Sequence, residues 1–254
     1  MRNIKLVFSY DGSQFFGSQA QPNNKTVQDA IEHAIFRLTR KKARLTFAGR
    51  TDRGVHGSNQ VANFLTDSSI PADRFAKALN AVCDKNINVK RAEEVGLEFN
   101  SRHDARTREY VYYVYSGEHV PLIFSGKVMR YRKPLNLRKM LKAAGYFIGR
   151  HNFKDLSAKG SERDSTIRTV FGLDIGYAGQ DLLRLFKDKG KIYYFRIVAD
   201  SYLYKMVRFI VAALLQVGSG SLKLSELKRI IKCEGKSMRQ VVPPCGLYLN
   251  EVKY

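Results

Sequence analysis

Carboxylates are the scarce charged groups in this 254-residue chain: 23 Asp and Glu stand against 44 Lys and Arg, a formal net charge of +21. A surplus of that size makes a polyanion the first partner to consider, with nucleic acid ahead of a membrane surface. Cysteine is sparse as well. Cys83, Cys233 and Cys245 are an odd, scattered set without a Cys-x-x-Cys pair, so neither a disulfide framework nor a zinc site is signalled, and all three read as reduced residues. No apolar run reaches the roughly 18 residues of a membrane span. Met1 to Tyr10 alternates charged and apolar residues where a signal peptide would have a continuous apolar core, so the expectation is a soluble, cytoplasmic protein without membrane association. Cofactor signatures fail too. No Gly-x-Gly-x-x-Gly occurs, and Gly235-Lys236-Ser237 looks like the end of a phosphate-binding loop except that Ile230 stands where the motif needs glycine. There is no Gly-x-Ser-x-Gly elbow and no His-Glu-x-x-His, and the five histidines (33, 56, 103, 119 and 151) lack ligand spacing.

What is present is 44% hydrophobic, enough for one large domain or two small ones with cores of their own. Ile4, Leu6, Phe8 and Tyr10 alternate as in a strand, and Asp11-Gly12 ends it with a turn. From Thr26 the period lengthens: Val27, Ala30, Ile31, Ala34, Ile35 and Leu38 fall at helical spacing, with Thr26 as N-cap and Asp29 three residues on. Strands are expected over Arg44 to Ala48, Gln60 to Leu65 and Ile87 to Val95, and a helix over Pro71 to Val82 burying Phe75, Ala78, Leu79 and Val82. The first hundred residues therefore read β-α-β-β-α-β.

The second part repeats that order with longer inserts. Arg108 to Tyr115 reads as a strand, and Pro134 to Ile148 as a helix with Leu137, Met140, Leu141 and Ala144 on its apolar stripe. A polar loop around His151 to Arg163 leads to three expected strands, Thr166 to Ile175, Asp181 to Asp188 and Lys191 to Ala199. An apolar helix over Tyr204 to Val217 follows, with Val207, Ile210, Val211, Leu214 and Leu215 inward and Gly218 as C-cap; a short helix (Ser225 to Lys232) and a strand (Gly246 to Val252) finish the chain. The pattern predicts an α+β protein of two ferredoxin-like βαββαβ halves, residues 1–103 and 104–254, sheet edge to sheet edge.

The stretch from Phe47 to Phe64 concentrates unusual residues: Gly49, Arg50, Thr51, Asp52, Arg53, Gly54, Val55 and His56 lie between two apolar segments. Glycines suit a tight turn, which holds Asp52 out between two arginines. A lone carboxylate there serves as nucleophile, ion-pair partner or turn residue; residue type alone favours the turn. His56 is expected to bond that turn rather than a metal. Arg102, Arg106 and Arg108 lead into an aromatic strand, Tyr110, Tyr112, Tyr113 and Tyr115, a combination that holds phosphates and stacks an unpaired base. Alternation puts Tyr110 and Tyr112 on one face and the other two opposite, and Tyr110, directly after the arginines, is the stacking candidate. Arg208 sits within the apolar helix. By residue type it faces solvent; if it faces inward it needs a carboxylate, and Asp52 is an attractive partner that the pair would keep ionised.

These residues resemble the pseudouridine synthases, specifically the bacterial subgroup acting on tRNA. The likeness runs through Tyr10-Asp11-Gly12 with Phe16-Gly17 and Gln19, Ala48-Gly49-Arg50-Thr51-Asp52 with Gly54-Val55-His56 and Gln60-Val61, Phe99 with Arg102, Ala105 and Tyr110, Gly149 with His151 and Phe153, Thr166-Ile167-Arg168, Met206-Val207-Arg208 with Val217-Gly218, and Pro243-Pro244 with Gly246-Leu247-Tyr248-Leu249. The resemblance implies a pseudouridine synthase fold whose two halves join through a central sheet with an active-site cleft between them. It implies Asp52 as the catalytic aspartate, Arg50 as the residue that displaces and replaces the flipped base, Tyr110 stacked on the target uracil, Arg208 paired with the aspartate and Leu247 lining the uracil pocket. It further implies a homodimer converting uridine to pseudouridine at positions 38, 39 and 40 of the tRNA anticodon arm, without metal or organic cofactor. Two positions depart from the family pattern: Ser18 stands where Trp is usual, and Arg53 where a small residue is usual. The competing expectation, from charge and fold alone, is a non-catalytic RNA-binding or RNA-folding protein.

Overall fold

A computed structural model describes residues 1–158, 160 and 165–254. The chain divides into two compact units, Met1–Arg108 with Tyr248–Tyr254, and Glu109–Leu247. Ser161 to Arg163, which close the expected polar loop, lie outside the described residues.

The first unit begins with β1 (Arg2–Tyr10), followed by α1 (Val27–Thr39), β2 (Thr46–Phe47), β3 (His56–Thr66), α2 (Ala72–Val82) and β4 (Ile87–Val95). Its sheet runs β4–β1–β3, with the two-residue β2 also on β3, so the βαββαβ order expected of this half is present. β1 is antiparallel to both neighbours, and β10 (Leu247–Lys253) joins β3 in parallel at Tyr248↔His56 and Leu249↔Gly57. Period-two alternation sends Ile4, Leu6, Phe8 and Tyr10 into one core with Ile31 and Ile35 of α1 and Phe75 and Leu79 of α2. Phe64 meets Phe75 edge-on, with ring centroids 5.8 Å apart. Each such side chain contributes about 1.5–3 kcal/mol when taken fully out of water. Thr26 caps α1 as expected, its side chain accepting the Asp29 N–H, and Arg40 closes the helix in the left-handed conformation.

The second unit carries most of β5 (Thr107–Ser116), then β6 (Met129–Arg130), α3 (Leu137–Ala144), β7 (Gly149–Asn152), β8 (Ile167–Ala178), α4 (Gln180–Leu185), β9 (Lys191–Ala199), α5 (Met206–Gly218) and α6 (Leu224–Ile231). Its sheet runs β5–β9–β8–β7, with β6 parallel on β5. With antiparallel β7–β8–β9 and these parallel pairs, the architecture is α+β with mixed strand pairing.

Four expectations need correction here. The segment Asp181 to Asp188 is a short helix and turn instead of a strand: its leucines are good helix formers, Gly179 starts it in the left-handed conformation, and only Leu183 of its apolar residues is buried. α3 stops at Ala144, short of Ile148, and Ala143 rather than the exposed Leu141 faces the core. Gly218 is the last helical residue of α5 and Ser219 is its C-cap, with its N–H on the Leu215 and Val217 carbonyls; the glycine serves close packing instead, since a Cβ at 218 would lie 2.7 Å from the Met140 side chain of α3. Arg208 is buried, 8% exposed, because α5 is covered nearly all round and has no solvent face to offer it. Among the described residues, no helix is long and apolar enough to cross a membrane.

Candidate active site

The glycine-rich turn is built from the strand ends inward. Ala48 N–H donates to the Val61 carbonyl (2.9 Å), tying the approach to β3, and Val55 N–H donates to the Asp52 carbonyl (3.1 Å), closing a four-residue turn. That turn needs a left-handed third residue, and Gly54 supplies it at φ +80°. At the tip Arg50 and Arg53 are exposed and Asp52 is half-buried between them. Asp52 thus leaves the backbone at a place fixed by hydrogen bonds on both sides.

Beneath the tip lies a buried polar network that residue types alone do not reveal. The Tyr10 hydroxyl meets Thr51 Oγ1 at 2.8 Å, Gln60 Nε2 donates to the Gly49 carbonyl (2.9 Å), and Ser18 Oγ accepts the Thr51 N–H (2.8 Å). Tyr10 and Gln60 lie at most 5% exposed, and burial pushes the Tyr10 hydroxyl up to about 12, against the opposing effect of its bonds to Thr51 and Gln60. The loop after β1 sits so close that glycine is obligatory: a Cβ on Gly12 would come within 1.9 Å of the Val55 carbonyl oxygen.

His56 lies in β3, one residue beyond the turn, is 1% exposed, and stacks on Tyr248 (4.6 Å between centroids, 18° between planes). Its Nδ1 is 3.2 Å from the Gly12 nitrogen and 3.1 Å from Asp11 Oδ1. A proton on Nδ1 serves Asp11 and a lone pair serves Gly12; either tautomer ties the loop after β1 to β3.

Arg50 and Asp52 belong to the first unit, whereas Tyr110, Arg208 and Leu247 belong to the second. Tyr110 is buried (7% exposed) and packs edge-on against Tyr202 at 5.0 Å. Arg208 Nε donates to the Val242 carbonyl (2.8 Å), and the Tyr112 hydroxyl donates to the next carbonyl, that of Pro243 (2.7 Å). The two bonds hold the segment that leads to Leu247, itself 5% exposed at the start of β10. Gly246 is required at this bend, since a Cβ there would lie 2.5 Å from the Tyr113 carbonyl.

Not all of the basic run before the aromatic strand is available to phosphates. Arg102 and Arg106 are exposed, but Arg108 donates to the carbonyls of Ala48 (2.9 Å), Ala105 (3.3 Å) and Arg102 (2.8 Å) and serves as a backbone anchor under the turn. Tyr112 and Tyr115 are structural as well: Tyr115 is 1% exposed and donates to Asp188 (2.8 Å). Among the described residues no group of three or more His, Cys, Asp and Glu is arranged to hold a metal ion.

Comparison with known proteins bears on this arrangement. A family model described as tRNA pseudouridine synthase matches residues 6–104 and 143–254, which include Arg50, Asp52, Arg208 and Leu247 and leave Tyr110 outside. A protein of Caldicellulosiruptor bescii named tRNA pseudouridine synthase A is 40% identical over 255 residues, and one of the same name from Acetivibrio thermocellus is 39% identical over 255; both alignments cover all of this chain and all of the relative. A solved archaeal box H/ACA sRNP Nop10-Cbf5 complex is 13% identical, covering 91% of this chain and 60% of that chain at a TM-score of 0.35, a likeness too distant to bear on the fold. On the family match and the full-length relatives, the chain belongs to the tRNA pseudouridine synthase family.

Proposed function

We propose that this enzyme isomerises uridine to pseudouridine at positions 38, 39 and 40 in the anticodon stem-loop of tRNA, with Asp52 as its nucleophile. The observation that carries the reading is the half-buried carboxylate of Asp52, presented on a hydrogen-bonded turn between two exposed arginines. The reaction breaks the bond between ribose C1′ and uracil N1, turns the uracil, and joins C5 to C1′; the proton leaves C5 and one is gained at N1. None of this happens inside a base stack, so the nucleotide must first be flipped out, at a cost of a few kcal/mol. Arg50, exposed beside the nucleophile, fits the task of filling the gap left in the stack. Tyr110 is the stacking partner of the uracil and the candidate acceptor of the C5 proton, Leu247 is the apolar wall of the uracil pocket, and Arg208 is the cation assigned to the aspartate. A single carboxylate suffices as covalent catalyst by adding to uracil C6 or attacking C1′.

The test is tritium release from C5-labelled uridine in anticodon stem-loop RNA. Loss of turnover in Asp52→Asn with RNA binding retained is expected; turnover at the wild-type rate in that variant would sink the reading. Nucleoside mapping of tRNA from cells lacking the protein is expected to show loss of pseudouridine at 38, 39 and 40 alone. The enzyme is proposed to act in the cytoplasm as a homodimer, and a monomer mass in solution at assay concentration would remove that part.

A further inference from the structure

We propose that Ser18 is a positioning residue for Asp52. This inference rests on the assignment of Asp52 as nucleophile. Ser18 is fully buried (0% exposed), in the connection between β1 and α1, beyond a 3-10 turn at Gly12–Gln14. It grips the residue before the nucleophile through the two successive peptides that flank its Cα: its Oγ accepts the Thr51 N–H at 2.8 Å, and its own N–H donates to the Thr51 carbonyl at 3.1 Å. The grip is itself braced, because the Ser18 carbonyl accepts the Gln28 N–H (3.0 Å) and the Gly17 carbonyl accepts the Val27 N–H (3.2 Å), both from the first turn of α1. Gly17 makes the approach possible: it is left-handed at φ +97°, and a Cβ on it would lie 2.8 Å from the Thr51 carbonyl oxygen.

The consequence is mechanical. α1 is packed into the core of the first unit, and Ser18 transmits that fixed position to the Thr51 backbone and so to the Cα of Asp52. The hydroxyl is the element that the side chain supplies, and Ala or Cys at this position keeps the backbone N–H that makes the other half of the grip. Without it the Thr51 N–H is buried and short of its acceptor, and the peptide relaxes to find another. Misplacing a reacting group by about 1 Å costs on the order of 100-fold in rate.

The experiment compares wild type, Ser18→Ala and Ser18→Cys for single-turnover pseudouridine formation on a tRNA anticodon stem-loop, with RNA affinity and folded fraction measured at the assay temperature. The expected result is a rate constant about 10- to 100-fold lower in Ser18→Ala, intermediate in Ser18→Cys because a thiol is a weaker acceptor at the same branch point, with RNA Kd unchanged and all variants folded. Wild-type rate in folded Ser18→Ala overturns the proposal, as does a rate loss that only follows the folded fraction. Asp52→Asn measured alongside separates the two readings. Activity in Asp52→Asn removes the nucleophile assignment itself, whereas inactive Asp52→Asn beside fully active Ser18→Ala removes only the role given to Ser18.

Discussion

Arg53, Arg108 and Arg208 carry the same side chain into three different physical situations. Arg108 spends its guanidinium on backbone carbonyls, and Arg208 is buried with Nε on Val242. Arg53 is exposed and lies over the Phe16 ring, with Cζ 4.0 Å from the centroid. Such a stack orders a long side chain without neutralising it, which leaves the charge available to a phosphate. Replacing Arg53 by Ala is therefore expected to weaken tRNA binding several-fold and to lower the slope of log affinity against log salt by about 1, the amount for one phosphate contact. Titrations at three or more salt concentrations measure this, and single-turnover chemistry at saturating enzyme should be unchanged. A loss of chemistry with binding intact would show instead that Arg53 acts at the reacting nucleotide. None of the three fates is visible in residue type. Arg208 was expected in solvent because burying a charge is costly, and the expectation fails where the helix has no exposed side and the backbone supplies an acceptor.

At the scale of elements, what was legible is what local chemistry dictates. α1 follows from its apolar spacing and from Thr26, a buried N-cap whose oxygen accepts the Asp29 N–H. Thr26→Ala removes that acceptor and is expected to lower the unfolding free energy by about 1 kcal/mol; urea denaturation of the two proteins reads the difference. An unchanged midpoint would mean that other groups satisfy the first turn of the helix. β1 and β4 were legible for the same kind of reason, an alternation that matches a sheet with one face on a core. α4 was not: over six residues, with a single buried leucine, helical and extended patterns cannot be told apart by period. β2 shrank to two residues because it pairs with β3 only at Thr46↔Asn63 and Phe47↔Ala62. The candidate site shows the same division. The turn around Asp52 could be read from its glycines, but its support from Ser18, Tyr10 and Gln60 could not, since those bonds join residues 11 to 41 positions apart.

On the scale of the whole molecule, titration adds a signature that no single element carries. Burial raises the hydroxyls of Tyr10, Tyr112, Tyr115, Tyr193 and Tyr254 alike. For Tyr10 the unfolded chain gives up its proton near pH 10 while the folded protein holds it to about 12, so the native state binds more protons in that window. Stability from this group is complete below pH 10 and is lost as pH rises towards 12. Tyr10→Phe removes this contribution, and a shallower fall of the denaturation midpoint between pH 10 and 12 is the expected result; an unchanged slope would mean that Tyr10 ionises as freely folded as unfolded. By itself, the sequence determined the surplus of 21 positive charges, the alternation and helical spacing that make the first unit, and the identity of the residues at the glycine-rich turn, because these depend on residue type and near neighbours. Only the tertiary structure decided that Arg108 is an anchor, that Arg208 is buried, and that Ser18, Tyr10 and Gln60 close on Gly49 and Thr51, the neighbours of Arg50 and Asp52. Those outcomes depend on which buried donors and acceptors the fold brings within hydrogen-bonding distance, and on the cost of leaving any of them unpaired.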